Sequence, residues 1–456
     1  MPFARLAAPL AKLLAFLALL GWAAAPASAQ SILRDAETEA LLKDMAAPLV
    51  KASGLVPGNV DIVLVNDPSV NAFVVGGQAV YLNSGLINEA DTAGEVQGVI
   101  AHELGHVTGG HAVLDLGSRG ATNISLLSLL LGAAAAAAGG GEAAMGVIMA
   151  GQQAAMGKYL AYTRSQEASA DAAGAKYLSE SGISGRGSVE FFKKLQNLEF
   201  RYGYNLKDGD EFYSTHPLTG DRIQTLEDTY ERDAAWNKAD DPELQKRFVR
   251  MKAKLFGYLA EPRRVLQKYP VTDNSIPAHY ARAYAYHKES QFDLAKAETE
   301  ALVKADPGDP YFLELQGQIL LESGKPQEAL PPLRKATELT GNQPLIATLF
   351  GHALLATEDR ANFKEAEQVL RNAVARDREN PFTWYQLGVI YAANGDMPRA
   401  RLASAEQQAL AGDMGAALAS AQAAEAGLPT GSPDWLRAQD IEMQARAELE
   451  RQKKRR

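Results

Sequence analysis

The feature that most restricts the fold of this chain is a repeat of small residues beyond about residue 275. Two series recur there, at spacings of 34, 34 and 37 residues in one and 34, 37 and 34 in the other. Their members are Ala283, Gly317, Gly351 and Gly388, and Ala295, Ala329, Ala366 and Ala400. A single three-residue insertion between Gly351 and Ala366 explains both series. A period of this length is typical of stacked helix pairs, and small side chains let paired helices approach closely. The sequence therefore predicts an all-α solenoid.

The predicted solenoid ends in weaker helical patterns. The segment Trp384-x-x-Leu387-Gly388-x-x-Tyr391 resembles tetratricopeptide repeats. Residues 412–426 are interpreted as a shortened repeat helix, and residues 435–450 as a capping helix. The basic residues 451–456 are expected to form a solvated, disordered tail. These patterns predict a tetratricopeptide-repeat domain over residues 273–450.

Upstream of the repeats, residues 99–106 read Val-Ile-Ala-His-Glu-Leu-Gly-His. On a helix, His102 and His106 lie one turn apart on the same face, so both imidazoles can reach one ion. Glu103 is offset by about 100° around the helix axis and can address the open side of that ion. Two ligands and a general base on one rigid element are the zinc-peptidase motif His-Glu-x-x-His. The chain contains no cysteine, so histidine, aspartate and glutamate must supply the ligands.

A catalytic zinc site needs a third protein ligand. His111 is close in sequence, but the metzincin pattern requires histidine at position 112, where this chain has alanine. Glu167 is the better candidate, and Asp171 lies one helical turn beyond it. One of these carboxylates can ligate the metal while the other accepts a hydrogen bond from a ligand histidine. The flanking alanines and Gly174 favour a close helix contact over a solvated helix edge.

The residues before the motif predict a small β-sheet. Residues 61–65, 72–75 and 79–82 are rich in β-branched and aromatic side chains. Gly76-Gly77 separates the last two segments and favours a hairpin between them. An extended peptide can add as a further strand along an exposed edge of this hairpin, through main-chain hydrogen bonds that tolerate many side chains.

Helical patterns flank these strands. Thr92-x-x-Glu95 is a capping-box signature, so the motif helix is predicted to begin there and to stop at Gly109-Gly110. Residues 31–54 and residues 152–181 are also predicted to be helical. The predicted fold class is therefore α+β and mostly helical.

Two apolar segments bear on location. Residues 1–29 have the pattern of a secretory signal peptide, with an apolar run and the small-residue site Ala27-Ser28-Ala29. Cleavage is expected after Ala29, and a retained anchor is the alternative. Residues 124–149 contain an alanine- and glycine-rich apolar run that is shorter than a spanning helix needs. They are interpreted as a helical hairpin that is either buried against the catalytic domain or in contact with a membrane surface.

The charge of the chain excludes one class of partner. Removal of the predicted leader takes the formal net charge from −9 to −11. A chain this acidic is not expected to bind nucleic acid broadly. Without a cysteine for lipid modification, the exported chain is expected to be periplasmic or secreted, and the periplasm is the predicted location.

The motifs together carry a family resemblance. His102-Glu103-x-x-His106 followed by Glu167-x-x-x-Asp171 resembles the zinc peptidases of the HtpX and CAAX-prenyl-protease group. The export signal and the repeats make the chain similar to the soluble periplasmic branch, the BepA-type proteases. Two further sets of residues add to the resemblance. The first is residues 71–73 with residues 80–86, and the second is residues 214–217 with Arg222. The resemblance implies a gluzincin-like metalloprotease domain over residues 30–272.

The resemblance also implies a role for each motif residue. It implies one Zn²⁺ per chain, a catalytic Glu103, and His216 near the metal, where it either stabilises an oxyanion or inhibits by ligation. The implied ligands are His102, His106 and Glu167, the supporting residues are Asp171 and Arg222, and the substrate-binding residues are Asn71, Ala72 and Phe73.

The implied function is a zinc-dependent endopeptidase of the cell envelope that cleaves misfolded or misassembled outer-membrane proteins. Its repeat domain would recruit these clients or the outer-membrane assembly machinery. The alternative is a repeat-based periplasmic chaperone or assembly adaptor whose peptidase is largely latent.

Overall fold

The structure, a computed structural model, describes residues 31–75, 77–111, 127–128, 141–202, 216 and 219–455. Within these residues the chain is mainly helical, with one four-stranded sheet. This confirms the predicted α+β, mostly helical class. The predicted signal peptide of residues 1–29 and most of the predicted hairpin of residues 124–149 lie outside the described residues.

The strands and the first helices form the N-terminal part of the chain. The strands are β1 (Ser31–Leu33), β2 (Asp61–Asn66), β3 (Ala72–Val74) and β4 (Ala79–Asn83). The helices are α1 (Ala36–Ser53), α2 (Ser84–Glu89), α3 (Ala93–Thr108), α4 (Gly141–Ser181), α5 (Arg186–Tyr202), α6 (Gly220–Glu231), α7 (Pro242–Leu259) and α8 (Pro262–Lys268).

The repeat region follows as helix pairs. Its helices are α9 (Ile276–Lys288), α10 (Phe292–Ala305), α11 (Pro310–Glu322), α12 (Pro326–Leu339), α13 (Pro344–Ala356), α14 (Phe363–Arg376), α15 (Pro381–Ala393), α16 (Met397–Leu410), α17 (Met414–Glu425) and α18 (Pro433–Arg455). Short 3₁₀ turns occur at Pro57–Asn59 and Arg360–Asn362.

The sheet has the strand order β1-β2-β4-β3. Strand β3 pairs antiparallel with β4, with Phe73 opposite Tyr81, so the predicted hairpin is confirmed. Strand β2 instead pairs parallel with β4, with Val63 opposite Tyr81. This order leaves β3 as an edge strand, next to the motif helix α3. A main-chain edge therefore runs beside the predicted site.

The prediction of one helix over residues 31–54 is wrong at its beginning. Ser31–Leu33 form strand β1, which pairs antiparallel with the end of β2. The helix starts only at Ala36, because the Asp35 side chain accepts a hydrogen bond of 2.8 Å from the backbone N–H of Thr38. The N-cap fixes the start of the helix, and the residues before it are left to extend the sheet.

Two other boundaries differ from prediction for a common reason. Helix α4 begins at Gly141 instead of residue 152, so residues 141–149 belong to it. The predicted disordered tail is helical, since α18 continues to Arg455. Neither segment contains proline, and basic side chains at a helix C-terminus interact favourably with the helix dipole. Neither segment therefore contains a residue that would end the helix at the predicted boundary.

The repeat prediction is confirmed at the positions of the small residues. Each member of the first series lies on the first helix of a pair, and each member of the second series lies on the second helix. A Cβ atom on Gly317 would lie 2.4 Å from Cγ of Leu333, and one on Gly351 would lie 2.5 Å from Cγ of Leu370. Larger side chains would therefore force the paired helices apart. The three-residue insertion forms the turn that contains Arg360–Asn362.

A buried ionic network joins the N-terminal part to the repeats. Glu37, at the start of α1, accepts hydrogen bonds from Arg250 (2.5 Å) and from the Tyr280 hydroxyl (2.8 Å). The Lys254 ammonium lies 2.5 Å from Asp35 and 3.3 Å from Glu37. Arg250 also reaches Asp309, at 2.6 Å. The two parts of the chain therefore meet through compensated buried charges, and the predicted boundary between residues 272 and 273 stays a prediction.

Replacement of Glu37 with glutamine should destabilise the folded chain by roughly 3 kcal/mol, because it leaves Arg250 and Lys254 less compensated in a buried position. The expected readout is a lower melting temperature by circular dichroism. Asp44→Asn is the matched control, since Asp44 lies on the same helix, pairs with Arg247 at 2.7 Å and is 56% exposed. That control should cost less than about 1 kcal/mol. Equal melting temperatures for the two variants would show that the network does not stabilise this contact.

Among the described residues, no helix combines the length and the apolar character that crossing a membrane requires.

Candidate metal centre

The motif helix α3 is fixed at its start by the predicted cap. The Thr92 hydroxyl accepts a hydrogen bond of 3.1 Å from the backbone N–H of Glu95. The Glu95 carboxylate accepts one of 2.8 Å from the backbone N–H of Asp91 and pairs with Lys194. Every residue from Ala93 to His106 is buried. A helix that is buried all round is held by its neighbours on every side, so its side chains have little freedom to reorient.

The two motif histidines meet Glu167 at one point. His102 Nε2 and His106 Nε2 are 3.1 Å apart. The Glu167 carboxylate on α4 lies 3.4 Å from His102 Nε2 and 3.3 Å from His106 Nε2. All three side chains are buried. The residues that the sequence predicts as ligands thus lie together, although Glu167 is far from the histidines in the sequence.

Close contact between α3 and α4 makes this meeting possible. A Cβ atom on Gly105 would lie 2.5 Å from the backbone oxygen of Ala170, and one on Gly174 would lie 3.1 Å from the backbone of Ala101 and His102. The predicted role of Gly174 in a close helix contact therefore agrees with the structure. Gly105 has the same role from the other helix, and the sequence reasoning missed it. Its position inside the motif was the available signal.

Asp171 and Arg222 contact the predicted ligands His102 and Glu167. His102 Nδ1 lies 2.9 Å from Asp171 Oδ1, which orients the imidazole so that Nε2 faces Glu167. Arg222 donates hydrogen bonds of 2.5 and 2.8 Å to Asp171 and lies 2.9 Å from Glu167 Oε2. One guanidinium thus holds both carboxylates of the Glu-x-x-x-Asp pair in place.

These contacts shift the ionisation of the cluster. Burial opposes a charge on His102, but hydrogen bonds to Asp171 and Glu167 raise the pKa of His102 to about 9. Burial would raise the pKa of Glu167, but hydrogen bonds with His102, His106 and His216 hold that pKa well below its usual range. Burial lowers the pKa of His106. Burial would also raise the pKa of Asp171, but hydrogen bonds with Arg222 and His102 lower it. Glu167 and Asp171 are therefore both ionised at neutral pH, as a metal ligand and a hydrogen-bond acceptor of a ligand must be.

Asp171→Asn should weaken metal binding by about 10- to 100-fold, because the amide no longer anchors the His102 ring as a charged acceptor. Competition with a chromogenic chelator measures this affinity. Asp228→Asn on α6 is a suitable control, since Asp228 is exposed and accepts only a hydrogen bond from Gln224 among the contacts recorded for it. An unchanged affinity in Asp171→Asn would contradict the supporting role.

His216 completes the cluster from a different part of the chain. Its Nδ1 lies 3.3 Å from His102 Nε2 and 3.1 Å from Glu167 Oε1, and its Nε2 lies 3.6 Å from Glu103 Oε1. The ligand atoms of His102, His106, Glu167 and His216 all lie within 4.8 Å of one another. Pro217, which accompanies His216 in the sequence motif, lies outside the described residues.

The donor set fits a zinc ion. Ligands around one tetrahedral zinc at about 2.0–2.1 Å lie roughly 3.4 Å from each other. The measured separations among the His102, His106 and Glu167 donors are 3.1, 3.3 and 3.4 Å. Imidazole nitrogens with one carboxylate oxygen are the usual ligands of a catalytic zinc in a site without cysteine. The cluster can therefore hold one ion of this kind.

Glu103 lies beside the cluster. Its side chain is fully buried, and neither carboxylate oxygen has a hydrogen-bond partner among the described residues. Burying a carboxylate without partners is costly, so such a group is rarely kept in a purely structural position. Its neighbour at 3.6 Å is the His216 ring at the metal cluster. The geometry suits a base that acts on a group bound at the cluster.

The predicted substrate-binding residues lie at the edge of the sheet. Asn71 and Ala72 are buried, and Phe73 is half-buried with its ring stacked on Tyr81 at a centroid distance of 5.1 Å. Since the first two side chains point into the protein, any contact with a peptide would come from the backbone of β3.

His111 makes side-chain contacts next to the cluster. Its Nδ1 lies 2.9 Å from Nδ1 of His106, and its Nε2 lies 3.1 Å from the Ser169 hydroxyl. His111, which the sequence rejects as the third ligand, thus contacts the ring of His106 near the end of α3. The contact with Ser169 was not expected, because it depends on how α4 crosses α3.

Two family models match the chain. Residues 33–230 match Peptidase family M48, and residues 280–344 and 354–417 match the tetratricopeptide repeat. These matches confirm the predicted pairing of a metallopeptidase domain with repeats.

Similar proteins include bacterial and mitochondrial peptidases. The beta-barrel assembly-enhancing protease of Escherichia coli K12 is 25% identical over 381 residues, which cover 81% of this chain and 75% of that protein. A Vibrio cholerae relative with a name of the same kind is 25% identical over 291 residues, 62% of this chain and 59% of its own length. The mitochondrial metalloendopeptidase OMA1 of Bos taurus is 26% identical over 195 residues, which cover 41% of this chain and 36% of that protein.

Proposed function

We propose that the chain is a zinc-dependent endopeptidase of the cell envelope, because residues 33–230 match Peptidase family M48 and matches to the tetratricopeptide repeat follow them. Its substrates would be misfolded or misassembled outer-membrane proteins. The observation that carries this proposal is the buried cluster of His102, His106 and Glu167 beside a Glu103 carboxylate that lacks hydrogen-bond partners among the described residues.

The proposed chemistry assigns one task to each residue. His102, His106 and Glu167 would hold one zinc ion, which when bound acidifies water and polarises a carbonyl group. Glu103 accepts a proton from the attacking water and passes it to the leaving amine. Asp171 and Arg222 keep the ligands oriented through the contacts described above.

The edge strand β3 supports a mode of substrate binding. It lies beside α3, and among the described residues it pairs in the sheet only with β4. We expect an extended client segment to pair with the backbone of residues 71–73. Main-chain pairing tolerates many side chains, which suits an enzyme that removes damaged proteins.

The repeats support a recruiting role. Arrays of this kind offer extended surfaces for peptides and partner proteins, and tethering a client next to the cluster raises its local concentration there. The names of the bacterial relatives point to barrel assembly. The partners proposed here are therefore outer-membrane clients and the machinery that assembles them. The proposed location is the periplasm, after cleavage of the signal peptide behind Ala29. A peripheral membrane contact through residues 124–149 remains part of this proposal.

The test uses the purified chain and a chemically unfolded outer-membrane protein. Fragments should appear over time, disappear when a zinc chelator is added, and return when zinc is restored in slight excess. Cleavage that continues at full rate after the chelator has removed the metal would overturn the proposal.

A second function is favoured by the position of His216. A catalytic zinc keeps one position open, whereas four protein ligands close the site. His216 Nδ1 lies as close to Glu167 and His102 as the proposed ligands lie to one another. With His216 as fourth ligand, the peptidase is latent and the chain acts mainly as a repeat-based chaperone or assembly adaptor. In cells, Glu103→Gln would then preserve envelope function, whereas removal of residues 275–456 would abolish it.

His216→Ala should raise basal peptidase activity by about tenfold while zinc content stays the same, because one competing ligand worth roughly 1.4 kcal/mol is removed. Initial rates on an unfolded client measure the effect. His352→Ala is the control, since His352 lies on α13 and its ring contact is with Phe382 in the repeats. A lower rate in His216→Ala would show instead that His216 stabilises the oxyanion.

A further inference from the structure

We propose that a groove near the end of the repeat array binds an acidic segment of another protein that also carries apolar side chains. The groove lies between helices α14, α15, α16 and α18 and has a cavity volume of about 470 Å³. The inference rests on the proposed recruiting role of the repeats and adds the chemistry of the segment that they recruit.

The first observation is the charge of this groove. Its lining includes four arginines, Arg371, Arg378, Arg399 and Arg437, and two acids, Glu406 and Asp434. The groove therefore carries a positive excess, whereas the whole chain has a formal net charge of −9. A local reversal of sign in an acidic protein attracts acidic partners to this groove.

The second observation is that two of these arginines are only loosely paired. Arg399 lies 2.8 Å from Asp434, and Arg437 makes contacts of 2.6 and 2.7 Å with Glu406, so both are held in place. Arg371 reaches Glu367 only at 3.6 Å, and Arg378 reaches Glu406 only at 3.9 Å. Their side chains are 58% and 62% exposed. These two guanidiniums can turn toward an incoming carboxylate at little cost.

The third observation is the apolar part of the same lining. Trp384, Leu387 and Tyr391 contribute side chains from α15. The indole N–H of Trp384 donates a hydrogen bond of 2.9 Å to the backbone oxygen of Arg378, which fixes the ring beside the loose arginines. A fixed aromatic surface next to mobile cations suits a segment in which acidic and apolar side chains alternate.

Charge complementarity favours an acidic occupant over the basic end of this chain. The basic end of this chain, residues 451–456, has the same sign as the groove. A second copy of the chain is also acidic overall, so the oligomeric state is followed as a separate outcome of the test. An acidic segment of a partner protein satisfies both the arginines and the aromatic surface.

The binding test uses the full chain with Glu103→Gln, so that the probe is not cleaved. The probe is a short fluorescent peptide in which glutamate and leucine alternate, and the comparison peptides replace all glutamates by glutamine or all leucines by serine. Fluorescence anisotropy should show binding of the first peptide alone, and binding should weaken as salt is added.

The double variant Arg371→Gln, Arg378→Gln should bind the probe about tenfold more weakly, since two charge-assisted contacts are lost. Arg446→Gln, Arg451→Gln is the matched control, because it removes the same charge from exposed positions on α18 outside the groove, and it should bind like the parent. Equal affinity in both double variants would overturn the proposal. The proposal would also be overturned if the groove variant changed its oligomeric state while the parent bound no peptide.

The readout separates this inference from the proposed function. Cleavage of a small, unstructured peptide at the metal cluster should be the same in the groove variant and the parent. Loss of probe binding with intact cleavage supports the groove, whereas absence of cleavage in every variant would count against the peptidase and leave the binding result standing.

Discussion

Glu103→Gln is expected to reduce peptide-bond hydrolysis by about 100- to 10,000-fold, which is the range that a general base contributes. Glutamine has nearly the same shape but cannot accept the proton of the attacking water. The buried Glu103 carboxylate has no hydrogen-bond partner among the described residues, so its loss should not weaken the fold. Zinc content and melting temperature should therefore stay at or above those of the parent.

Initial rates on an unfolded client, with zinc content measured on the same sample, test this expectation. Glu190→Gln is the matched control, since Glu190 is an exposed residue on α5 and should leave the rate unchanged. A Glu103→Gln protein that keeps more than about half of the parental rate would contradict a role as general base, because general bases contribute far more than that.

Glu167→Gln is expected to weaken zinc binding by more than about 100-fold, the upper end of the loss caused by removing a supporting residue. The variant removes a negatively charged ligand that lies 3.3 and 3.4 Å from the two histidine nitrogens. It also leaves Arg222 beside the histidines with one carboxylate fewer to neutralise it. Peptidase activity should fall together with metal occupancy.

Competition titrations with a zinc chelator provide the measurement for this variant. Glu180→Gln is the control on the same helix, because Glu180 is 49% exposed and pairs with Lys176 at 3.8 Å. Equal zinc affinity of Glu167→Gln and the parent would mean that a different side chain completes the site, and the assignment of the third ligand would be wrong.

Local patterns were sufficient for the parts of the molecule that depend on short-range rules. The cap at Thr92, the helix through His106, the hairpin of β3 and β4, and the repeat period all follow from spacing within a single element. The combination of Glu167 and Asp171 was also predictable, because a helix places both on one face. The small residues nearby also predicted a close helix contact at these two acids, although not which helix makes it.

Other features depend on how distant segments pack and could not be predicted. Strand β1 exists because β2 offers it an edge, and three residues carry too little pattern to show this. The contact of His111 with Ser169 and the close approach at Gly105 depend on the crossing of α3 and α4. The buried pairs of Glu37 join residues more than two hundred positions apart. No local pattern encodes such contacts.

Metal analysis of the purified chain tests the central claim most directly. Mass spectrometry of the metal content should give one zinc per chain for the parent and for His216→Ala, and almost none for a variant in which His102 and His106 are both replaced by alanine. A parent protein that binds no zinc when zinc is supplied, or a double histidine variant that retains a full equivalent, would contradict the account of this cluster as a zinc peptidase centre.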